Sequence, residues 1–343
     1  MTGGSFLEKL GSLLFELSSH DRLSILRELG NDALSVTKLS KKLDLTTQET
    51  SRQVFRLKEA GLLRRDNRGI YRLTSYAEVV LKQLGGLDFL SRHKEYFKSH
   101  SLVHLPEKLV LRLGDIAEAT YLSSISQSLY SVERLIKEAE SYIWLVNDQI
   151  SFSVFCELGR ALERGTKNRV IQTKGFTYPS DIVRDYFQYY ERNILPIDRR
   201  SRATGALEDR LDDRAEIFLF ISEKQAAVAF PLNSGKFDYL VFSGSDKRFH
   251  NWCSEAFNYC WTKAQPLEIV TEKPCEWIMD NPEALSGLER IIAGQKLTLR
   301  KNLASELEKL QLTRSGSITR LGYLVRSRLD EHRSPEANTV QSS

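Results

Sequence analysis

Apolar residues recur at helical spacing in the segment that begins at Ser35. Val36, Leu39 and Leu43 fall on one stripe when successive residues turn by about 100°. Ser35 directly precedes this stripe, and serine is a favoured residue at helix N-termini. The pattern therefore predicts a short helix that begins after Ser35 and ends near Asp44.

A second helical pattern follows immediately. Thr46 and Glu49 have the spacing of a capping box, in which the two side chains bind backbone amides of the first helical turn. Val54 and Leu57 then define the buried face of a second helix. Gly61 marks its end, because glycine most readily adopts the left-handed conformation that stops a helix.

The spacing of apolar residues changes from helical to alternating after this glycine. Two short strands around a turn at residues 66–69 are predicted by Leu62, Leu63, Ile70, Tyr71 and Leu73. Residues 6–17 and 21–29 have amphipathic patterns that predict two preceding helices. Helices followed by such a hairpin are typical of a winged helix-turn-helix, in which the hairpin is the wing.

The middle of the chain alternates between helical patterns and buried strands, which predicts a mixed α/β domain. Helices are predicted at residues 117–139, 151–164, 181–192 and 249–263, and strands at 142–146, 169–173, 216–222, 226–231 and 239–242. Residues 76–97 form a further apolar helical stretch, which we expect Gly85 and Gly86 to break. It either packs on its own domain or pairs with a second copy of the chain.

Residues 307–321 faintly repeat the segment that contains the wing. A Leu-rich helix end, an Arg and Gly turn and an Ile-containing strand recur in the same order. The repeat predicts a small C-terminal winged-helix-like module, and chance similarity over so few residues is the competing explanation.

The predicted fold class is therefore multi-domain α+β. We expect a winged helix-turn-helix at residues 1–75, a helical linker at 76–105 that is also a candidate for dimerisation, an α/β sensor domain at 106–266, the C-terminal module at 267–333 and a disordered tail at 334–343.

Positive charge is concentrated between Arg52 and Arg72. This segment has seven basic and two acidic residues, a local balance of +5, whereas the whole chain has a formal charge of +4, so the remainder is close to neutral. A positive field confined to one small element favours a surface that faces nucleic-acid phosphates. Solvation of an ordinary protein surface is the alternative explanation.

The side chains opposite the buried face of the second helix, and those of the wing, are the predicted contacts with double-stranded DNA. Gln48, Ser51 and Arg52 are expected to reach base edges, and the wing is expected to contact phosphates or the minor groove. The full set is Thr46, Thr47, Gln48, Ser51, Arg52, Arg56, Arg64, Arg65 and Arg68.

The middle domain offers three candidate positions for a small ligand. Asn147, Asp148 and Gln149 follow a predicted strand, and ligands of α/β sheets bind beyond the carboxyl ends of strands. Arg200 and Arg202 lie in a predicted loop, and Asp246 and Lys247 begin a predicted helix; both places are candidates for an anion. The alternatives are helix capping by Asn147 and Asp148 and simple solvation of the loop.

The sequence contains no motif of nucleophilic catalysis, nucleotide binding or metal binding. The four cysteines have no Cys-x-x-Cys pair, and the six histidines have no close ligand spacing. No apolar run approaches the roughly 18 residues of a membrane helix, and residues 1–5 do not suggest a secretory signal. We therefore expect a cytoplasmic protein without cofactor or metal that is not an enzyme.

The chain resembles archaeal transcription regulators in which a winged helix precedes a middle domain first described for a methanogenesis and filamentation regulator. The resemblance covers roughly residues 23–264 and depends on Leu105-Pro106-Glu107-Lys108-Leu109, Gly114-Asp115-Ile116, Asp238-Tyr239, Phe249-His250-Asn251-Trp252-Cys253 and Phe257-Asn258-Tyr259-Cys260-Trp261. It implies a phospholipase-D-like sensor domain similar to that of TrmB-type regulators. Phospholipase D enzymes use His-x-Lys, and no histidine here precedes a lysine by two positions.

These observations predict a sequence-specific DNA-binding transcription regulator, homodimeric and modulated by a small effector or partner. One alternative is a phospholipase-D-like enzyme tethered to DNA, with His250 as its catalytic residue. The other is an adaptor whose winged helix binds a protein of the transcription machinery. A salt-sensitive shift of DNA by the purified protein separates the regulator from the adaptor.

Overall fold

A computed structural model describes residues 3–149, 151–178 and 183–333 of the 343-residue chain. The chain divides into two compact units, Met1–Arg92 and His93–Ser343. The first residues of the helix predicted at 181–192 and the tail predicted at 334–343 lie outside the described residues.

The first unit surrounds a small antiparallel sheet of strand order β1-β3-β2 with five helices. Its elements are α1 (Gly3–Leu17), α2 (His20–Asn31), β1 (Leu34–Ser35), α3 (Val36–Leu43), α4 (Thr47–Glu59), β2 (Leu63–Arg65), β3 (Ile70–Leu73) and α5 (Ser75–Arg92). The predicted helices, the hairpin and their order are confirmed.

The core of this unit is formed by the apolar stripes that the sequence indicated. Leu39 of α3 and Val54 and Leu57 of α4 are fully buried, together with Ile25 and Leu26 of α2. Burial of each such side chain contributes about 1.5–3 kcal/mol to the hydrophobic free energy of folding. The packing fixes which face of α4 points outward.

The expected break at Gly85 and Gly86 is wrong. Helix α5 runs without interruption through both residues to Arg92. A glycine costs about 1 kcal/mol in a helix but does not forbid one. Val80, Leu81 and Leu84 pack against the core of the first unit just before the two glycines, which favours continuation of the helix.

The second unit contains an eight-stranded mixed sheet of order β11-β7-β6-β5-β8-β9-β10-β4. Its strands are β4 (Thr120–Tyr121), β5 (Tyr142–Asn147), β6 (Lys167–Thr173), β7 (Leu207–Asp212), β8 (Phe218–Ser222), β9 (Ala226–Ala229), β10 (Phe242–Gly244) and β11 (Gln265–Pro266). Strands β5, β6 and β7 are parallel to one another, and the other pairings are antiparallel.

Helices and one further hairpin complete the second unit. They are α6 (Lys94–Ser99), α7 (Glu107–Val110), α8 (Ile125–Glu138), α9 (Phe152–Glu163), α10 (Val183–Tyr189), α11 (Leu195–Ala203), α12 (Lys247–Lys263), α13 (Leu267–Asp280), α14 (Pro282–Ile292), α15 (Lys301–Lys309), β12 (Thr313–Arg314), β13 (Ser317–Ile318) and α16 (Arg320–Arg333). A 3-10 turn lies at Leu113–Ile116, and a π-helical turn at Tyr190–Ile194 joins α10 to α11. None of the helices in the described ranges combines the length and apolarity needed to cross a membrane.

Side chains of β5 alternate between two covered faces of the sheet. Ile143 and Leu145 belong to the apolar cluster that includes residues of α8 and α9. The ring of Trp144 instead stacks on Phe257 of α12, with the centroids 5.1 Å apart. Helices on both sides of a partly parallel sheet are typical of α/β domains, which confirms the predicted class of this region.

Four details of the predicted α/β pattern are wrong. The strand predicted at 239–242 begins at Phe242 and runs to Gly244, since Tyr239 has a left-handed φ of 60°. The helix predicted from residue 117 begins at Ile125, because Ser124 caps it, and Thr120–Tyr121 forms strand β4. The predicted loop around Arg200 and Arg202 is helix α11. Strand β7 was not predicted, because its charged residues mask the alternation of Leu207 and Leu211.

The turns that lead into the two hairpins have the same backbone geometry. Gly61 follows α4 with φ 74°, and Gln311 occupies the corresponding position after α15 with φ 58°. In both turns the next residue donates its N–H to the carbonyl five residues earlier, at 2.9 and 2.8 Å respectively. These are the bonds of a helix-ending Schellman motif.

A threonine closes each hairpin in the same way. The hydroxyls of Thr74 and Thr319 donate to the carbonyl of the left-handed residue, at 2.7 and 2.5 Å. The same oxygens accept the N–H of Ala77 and of Gly322, at 3.2 and 3.0 Å. The faint sequence repeat is therefore a structural repeat, and the predicted C-terminal winged-helix-like module is confirmed.

The C-terminal module shares its core with the rest of the second unit. Phe187 of α10 stacks on Tyr323 of α16 with centroids 4.0 Å apart, and both rings are fully buried. The segment that follows β6 also bonds to this module. Tyr178 donates its N–H to the carbonyl of Ile318 in the second hairpin at 3.3 Å, and Arg320 of α16 donates its N–H to the carbonyl of Phe176 at 2.7 Å. The base of this hairpin, at Thr313 and Ile318, is therefore buried, whereas its tip at residues 314–316 is exposed.

We predict that Gly322→Ala destabilises the second unit by about 1–3 kcal/mol, the usual cost of adding a carbon atom to a well-packed core. A Cβ at this position would overlap the carbonyl oxygen of Leu312, which belongs to the backbone and has little freedom to move. Urea unfolding followed by tryptophan fluorescence measures this unit alone, because every tryptophan of the chain lies within it: Trp144, Trp252, Trp261 and Trp277.

Gln311→Gly is the matched control for this measurement. It removes a side chain from a left-handed residue of the same turn, so we expect a gain of about 0.5–1 kcal/mol. Equal stability of Gly322→Ala and the wild-type protein would contradict the packing described for α16.

Candidate nucleic-acid interface and central cavity

The start of helix α4 is held by a capping box. The Thr46 hydroxyl donates to the Glu49 carboxylate at 2.7 Å and accepts the N–H of Glu49 at 3.1 Å. Glu49 also accepts the N–H of Thr46 at 3.2 Å. Because these groups bind the charged carboxylate, the hydroxyl of Thr46 first and its N–H second, they lower the pKa of Glu49.

The face of α4 opposite its buried stripe carries one exposed ridge. Thr50, Val54 and Leu57 are buried, which leaves the opposite side of the helix to solvent. The ridge consists of Thr47, Gln48, Ser51, Arg52 and Phe55, which together line an open surface groove. Hydroxyl, amide and guanidinium groups thus share one helical face, the arrangement that reading of base edges requires.

Phe55 is the residue of this ridge that the sequence analysis missed. Its side chain is 60% exposed, although phenylalanine is commonly buried. Its position four residues after Ser51 was sufficient to place it on the ridge. An exposed phenyl ring in a major groove is suited to contact the methyl group of thymine.

Two of the predicted DNA contacts have other partners in the structure. The Thr46 side chain is occupied by the capping box. The guanidinium of Arg56 lies 2.6 Å from the Glu16 carboxylate and 5.2 Å from the centre of the Phe15 ring. Glu16 also pairs with the buried Arg22 at 3.2 Å, so two guanidinium groups share one carboxylate on the α1 side of the helix.

The wing turn is shaped by Asp66 rather than by an ion pair. One oxygen of this carboxylate accepts the N–H groups of Ile70 and Arg68, both at 2.9 Å. The bond from Ile70 is the main cause of the lowered pKa of Asp66. Gly69, with φ 79°, allows the chain to reverse.

The wing arginines project from this turn into solvent. Arg64, Arg65 and Arg68 are exposed and form no ion pair with any of the described residues. The Arg65 guanidinium lies 5.7 Å from the centre of the Tyr71 ring, which holds its stem against the hairpin. The structure therefore brings together, in the first unit, a donor-rich helix ridge and a hairpin with unpaired positive charge.

Of the three polar residues predicted beyond β5, Gln149 lines a cavity, and Asn147 and Asp148 are not among the residues that line it. This cavity has a volume of about 260 Å³ and lies between α8, the start of α9 and strand β8. Asp148 lies next to it and accepts the hydroxyl of Tyr239 at 3.1 Å. Burial raises the pKa of Asp148, because the charged carboxylate loses solvation.

The alternative explanation, in which Asn147 caps the following helix, is wrong. Ser151 is the residue that caps α9, since its hydroxyl accepts the N–H of Val154. Asn147 is fully buried, and both polar atoms of its amide lack a partner among the described residues.

The other predicted ligand contacts do not line this cavity. Arg202 is half-buried in α11 and forms ion pairs with Asp209 at 2.6 Å and Asp198 at 3.7 Å, so its charge is already balanced. Arg200 is exposed on the same helix. Asp246 caps α12 by accepting two backbone N–H groups, and its negative charge opposes an anion at that site.

The first residue of α12, Lys247, is exposed. His250, the residue required by the enzyme alternative, lies on the same helix and donates to the carbonyl of Ser222 at 2.7 Å.

In the part of the chain that the structure describes, no three His, Cys, Asp or Glu side chains meet as a metal site requires. All four cysteines are buried as free thiols.

Three solved structures are similar to parts of this chain. TrmBL2, an archaeal chromatin protein, has 19% identity over 68% of this chain and 88% of its own, with a TM-score of 0.34. The phospholipase D family member Nuc from Salmonella typhimurium has 10% identity over 39% and 87%, with a TM-score of 0.28. The dimethyltransferase RosA from Streptomyces davawensis has 13% identity over 62% and 68%, with a TM-score of 0.24. Scores below 0.5 carry no functional argument.

Residues 17–66 match the family model of a helix-turn-helix domain. No curated protein matches the chain. The matched range begins at the end of α1, includes α2, α3 and α4, and reaches the wing turn. The first unit therefore contains a helix-turn-helix domain with α4 as its second helix.

We predict that alanine at two adjacent threonines affects two different properties, the stability of α4 and the affinity for DNA. Thr46→Ala removes the cap and should destabilise α4 by about 1 kcal/mol, or about fivefold faster amide exchange in that helix. Thr47→Ala should leave exchange unchanged, because its side chain has no hydrogen-bond partner among the described residues. It should weaken DNA binding, because Thr47 belongs to the exposed ridge. Hydrogen exchange with mass spectrometry and DNA titration measure the two effects.

The difference in amide exchange between Thr46→Ala and the wild-type protein should also depend on pH. The folded-state pKa of Glu49 is lowered, so its stabilising effect is complete above the unfolded-state pKa and is lost as the pH falls through the folded-state value. The effect of Thr46→Ala on exchange should therefore diminish in acid. Equal exchange of the two threonine variants at neutral pH would contradict the capping role.

Proposed function

We propose that this protein is a sequence-specific DNA-binding transcription regulator that acts as a homodimer and responds to a small ligand bound in its second unit. The observation that carries the proposal is the exposed donor-rich ridge of α4 beside a wing with unpaired arginines. The resemblance of the sequence to archaeal winged-helix regulators supports the same proposal.

In this proposal the two elements contact different parts of the duplex. Gln48, Ser51 and Arg52 contact base edges in the major groove, where amide and guanidinium groups distinguish adenine and guanine. Arg64, Arg65 and Arg68 contact phosphates or the minor groove and fix the register of the protein on DNA. Arg56 is left out of this scheme, since its guanidinium already pairs with the Glu16 carboxylate.

The homodimer is proposed from the apolar surface of the first unit. Helix α1 exposes Leu7, Leu10 and Leu14 at helical spacing, and α5 exposes Val79 and Leu87. Leucine side chains that are 41–68% exposed on one helical face favour association with another apolar surface. A second copy of the chain is the partner that doubles the DNA contacts through two-fold symmetry.

We further propose that the second unit senses a ligand and does not catalyse a reaction. His250 donates to a main-chain carbonyl, which is a structural role. The cavity beside Gln149 is a candidate for the ligand site because a concave, mostly apolar surface with a few polar groups is typical of small-molecule sites. Phosphodiesterase activity that disappears in His250→Ala would contradict this part of the proposal.

We predict that Arg52→Ala and Arg68→Ala weaken DNA binding in different ways. Arg52→Ala should cost about 1–3 kcal/mol and relax specificity at one base position, because a base contact is lost. Arg68→Ala should weaken binding to all sequences alike and reduce the salt slope by about one unit, because a phosphate contact is lost. Fluorescence anisotropy at several salt concentrations separates the two effects.

Lys82→Ala is the control for lost positive charge, because this lysine is exposed on α5 and belongs to neither the ridge nor the wing. It should leave affinity and specificity close to wild type. If the double replacement of Arg52 and Arg65 left DNA affinity unchanged, the proposed interface would be wrong.

We predict that Leu10→Glu combined with Val79→Glu converts the dimer to a monomer, because charges would replace apolar contacts at the interface. Sedimentation equilibrium measures the change in mass. Ile269→Glu is the matched control, since Ile269 is 60% exposed on α13 in the second unit. A wild-type protein that stays monomeric at micromolar concentration would contradict the proposal of a homodimer.

A further inference from the structure

The cavity between α8 and the sheet is distinguished by the chemistry of its walls. Its ten lining residues include aliphatic and aromatic side chains from α8, α9, β8 and the segment before β10, and none of the ten is Lys, Arg, His, Asp or Glu. Phe218 and Phe220 form one wall and Leu129 and Val132 another. Four of the ten are polar, Ser128, Gln149, Ser151 and Tyr239, so the walls offer few partners to ordered waters, each of which needs about two to four.

One polar group in these walls has no partner. Ser128 is 3% exposed and lines the cavity, and its hydroxyl forms no hydrogen bond with any of the described residues. Leaving a buried hydroxyl unpaired costs free energy. A molecule inside the cavity that supplies a donor or an acceptor would remove this cost.

The opposite wall is held in an unusual backbone conformation. Tyr239 lines the cavity and has φ 60°, a left-handed value that side chains other than glycine rarely adopt. Its hydroxyl is fixed by the Asp148 carboxylate at 3.1 Å, and its ring lies edge-on to Phe218 with centroids 5.4 Å apart. The ring is therefore fixed at both ends as part of a preformed site.

The charge near the cavity limits the ligand further. The nearest acidic group behind Tyr239 is Asp148, and no cationic side chain is among the lining residues. An anion entering the cavity would lose its hydration without gaining a counter-charge. The volume of about 260 Å³ exceeds the roughly 150 Å³ of an engineered cavity that takes up benzene, so a substituted ring or a short branched chain fits.

We propose that this cavity binds a compact, uncharged and largely apolar molecule whose single hydrogen-bonding group bonds to the Ser128 hydroxyl. This molecule is the chemical class of the effector, an inference that rests on the regulator proposed above. The apolar body lies among Phe218, Phe220, Leu129 and Val132, and Ile125, which is 59% exposed, lies at the rim.

Titration of the full-length protein with three related probes tests the proposal. Benzyl alcohol has the ring and a hydroxyl, toluene has the ring alone, and benzoate has a negative charge. By ligand-observed NMR, benzyl alcohol should bind about fivefold more tightly than toluene, because of one added hydrogen bond. Benzoate should show no saturable binding.

Variants of α8 assign the binding to this cavity. Ser128→Ala should reduce the affinity for benzyl alcohol to that of toluene and leave toluene unchanged. Ser126→Ala is the matched control, because Ser126 is exposed on the same helix. Leu129→Trp fills the cavity and should abolish binding of both neutral probes, with circular dichroism to verify that the variant is folded.

Two results would overturn the inference. One is absence of saturable binding of both neutral probes to the wild-type protein, and the other is equal affinity of Ser128→Ala and wild type for benzyl alcohol. DNA affinity is measured separately on the same preparations. Protein that binds DNA but no probe overturns the ligand site alone, whereas protein that binds the neutral probes but no DNA overturns the proposed regulator.

Discussion

The orientation of helix α4 is the constraint on which the proposed interface depends. Val54 and Leu57 are fully buried in the core of the first unit, and rotation of the helix by even one residue would move them by about 100°. The capping box at Thr46 and the left-handed Gly61 fix the two ends of the helix. Because the helix cannot rotate, the residues of the exposed ridge stay on its solvent-facing side.

The acidic residue Glu16 determines how far the positive field extends. By pairing with Arg22 and Arg56, it balances charge on the α1 side of α4, whereas Arg52 and the wing arginines keep theirs. The field near DNA is set by which cations remain unpaired, not by how many the segment contains. The same helix and hairpin recur in the C-terminal module, but there the hairpin carries one exposed arginine, Arg314, whereas the wing of the first unit carries several.

Local sequence signals were sufficient to predict the helices and the hairpin of the first unit and the repeat of the hairpin near the C-terminus. Caps, helical stripes and turn glycines act within a few residues, so Ser35, Thr46 and Gly61 indicated the helix boundaries correctly. Features that depend on distant partners were not predictable. The ion pair of Arg56 joins residues 40 positions apart, the continuity of α5 through Gly85 comes from packing, and the cavity is formed by four separate segments. Phe55 was predictable from spacing alone, but its exposure contradicts the usual behaviour of phenylalanine.

The central claim is that the ridge of α4 and the wing read a specific DNA sequence as part of a two-fold symmetric protein. Selection of bound duplexes from a random pool by the full-length protein tests it most directly. The account predicts enrichment of a two-fold symmetric motif whose half-sites are one helical turn, about 10 base pairs, or a multiple of it apart. Recovery of a pool with no enriched motif would contradict it.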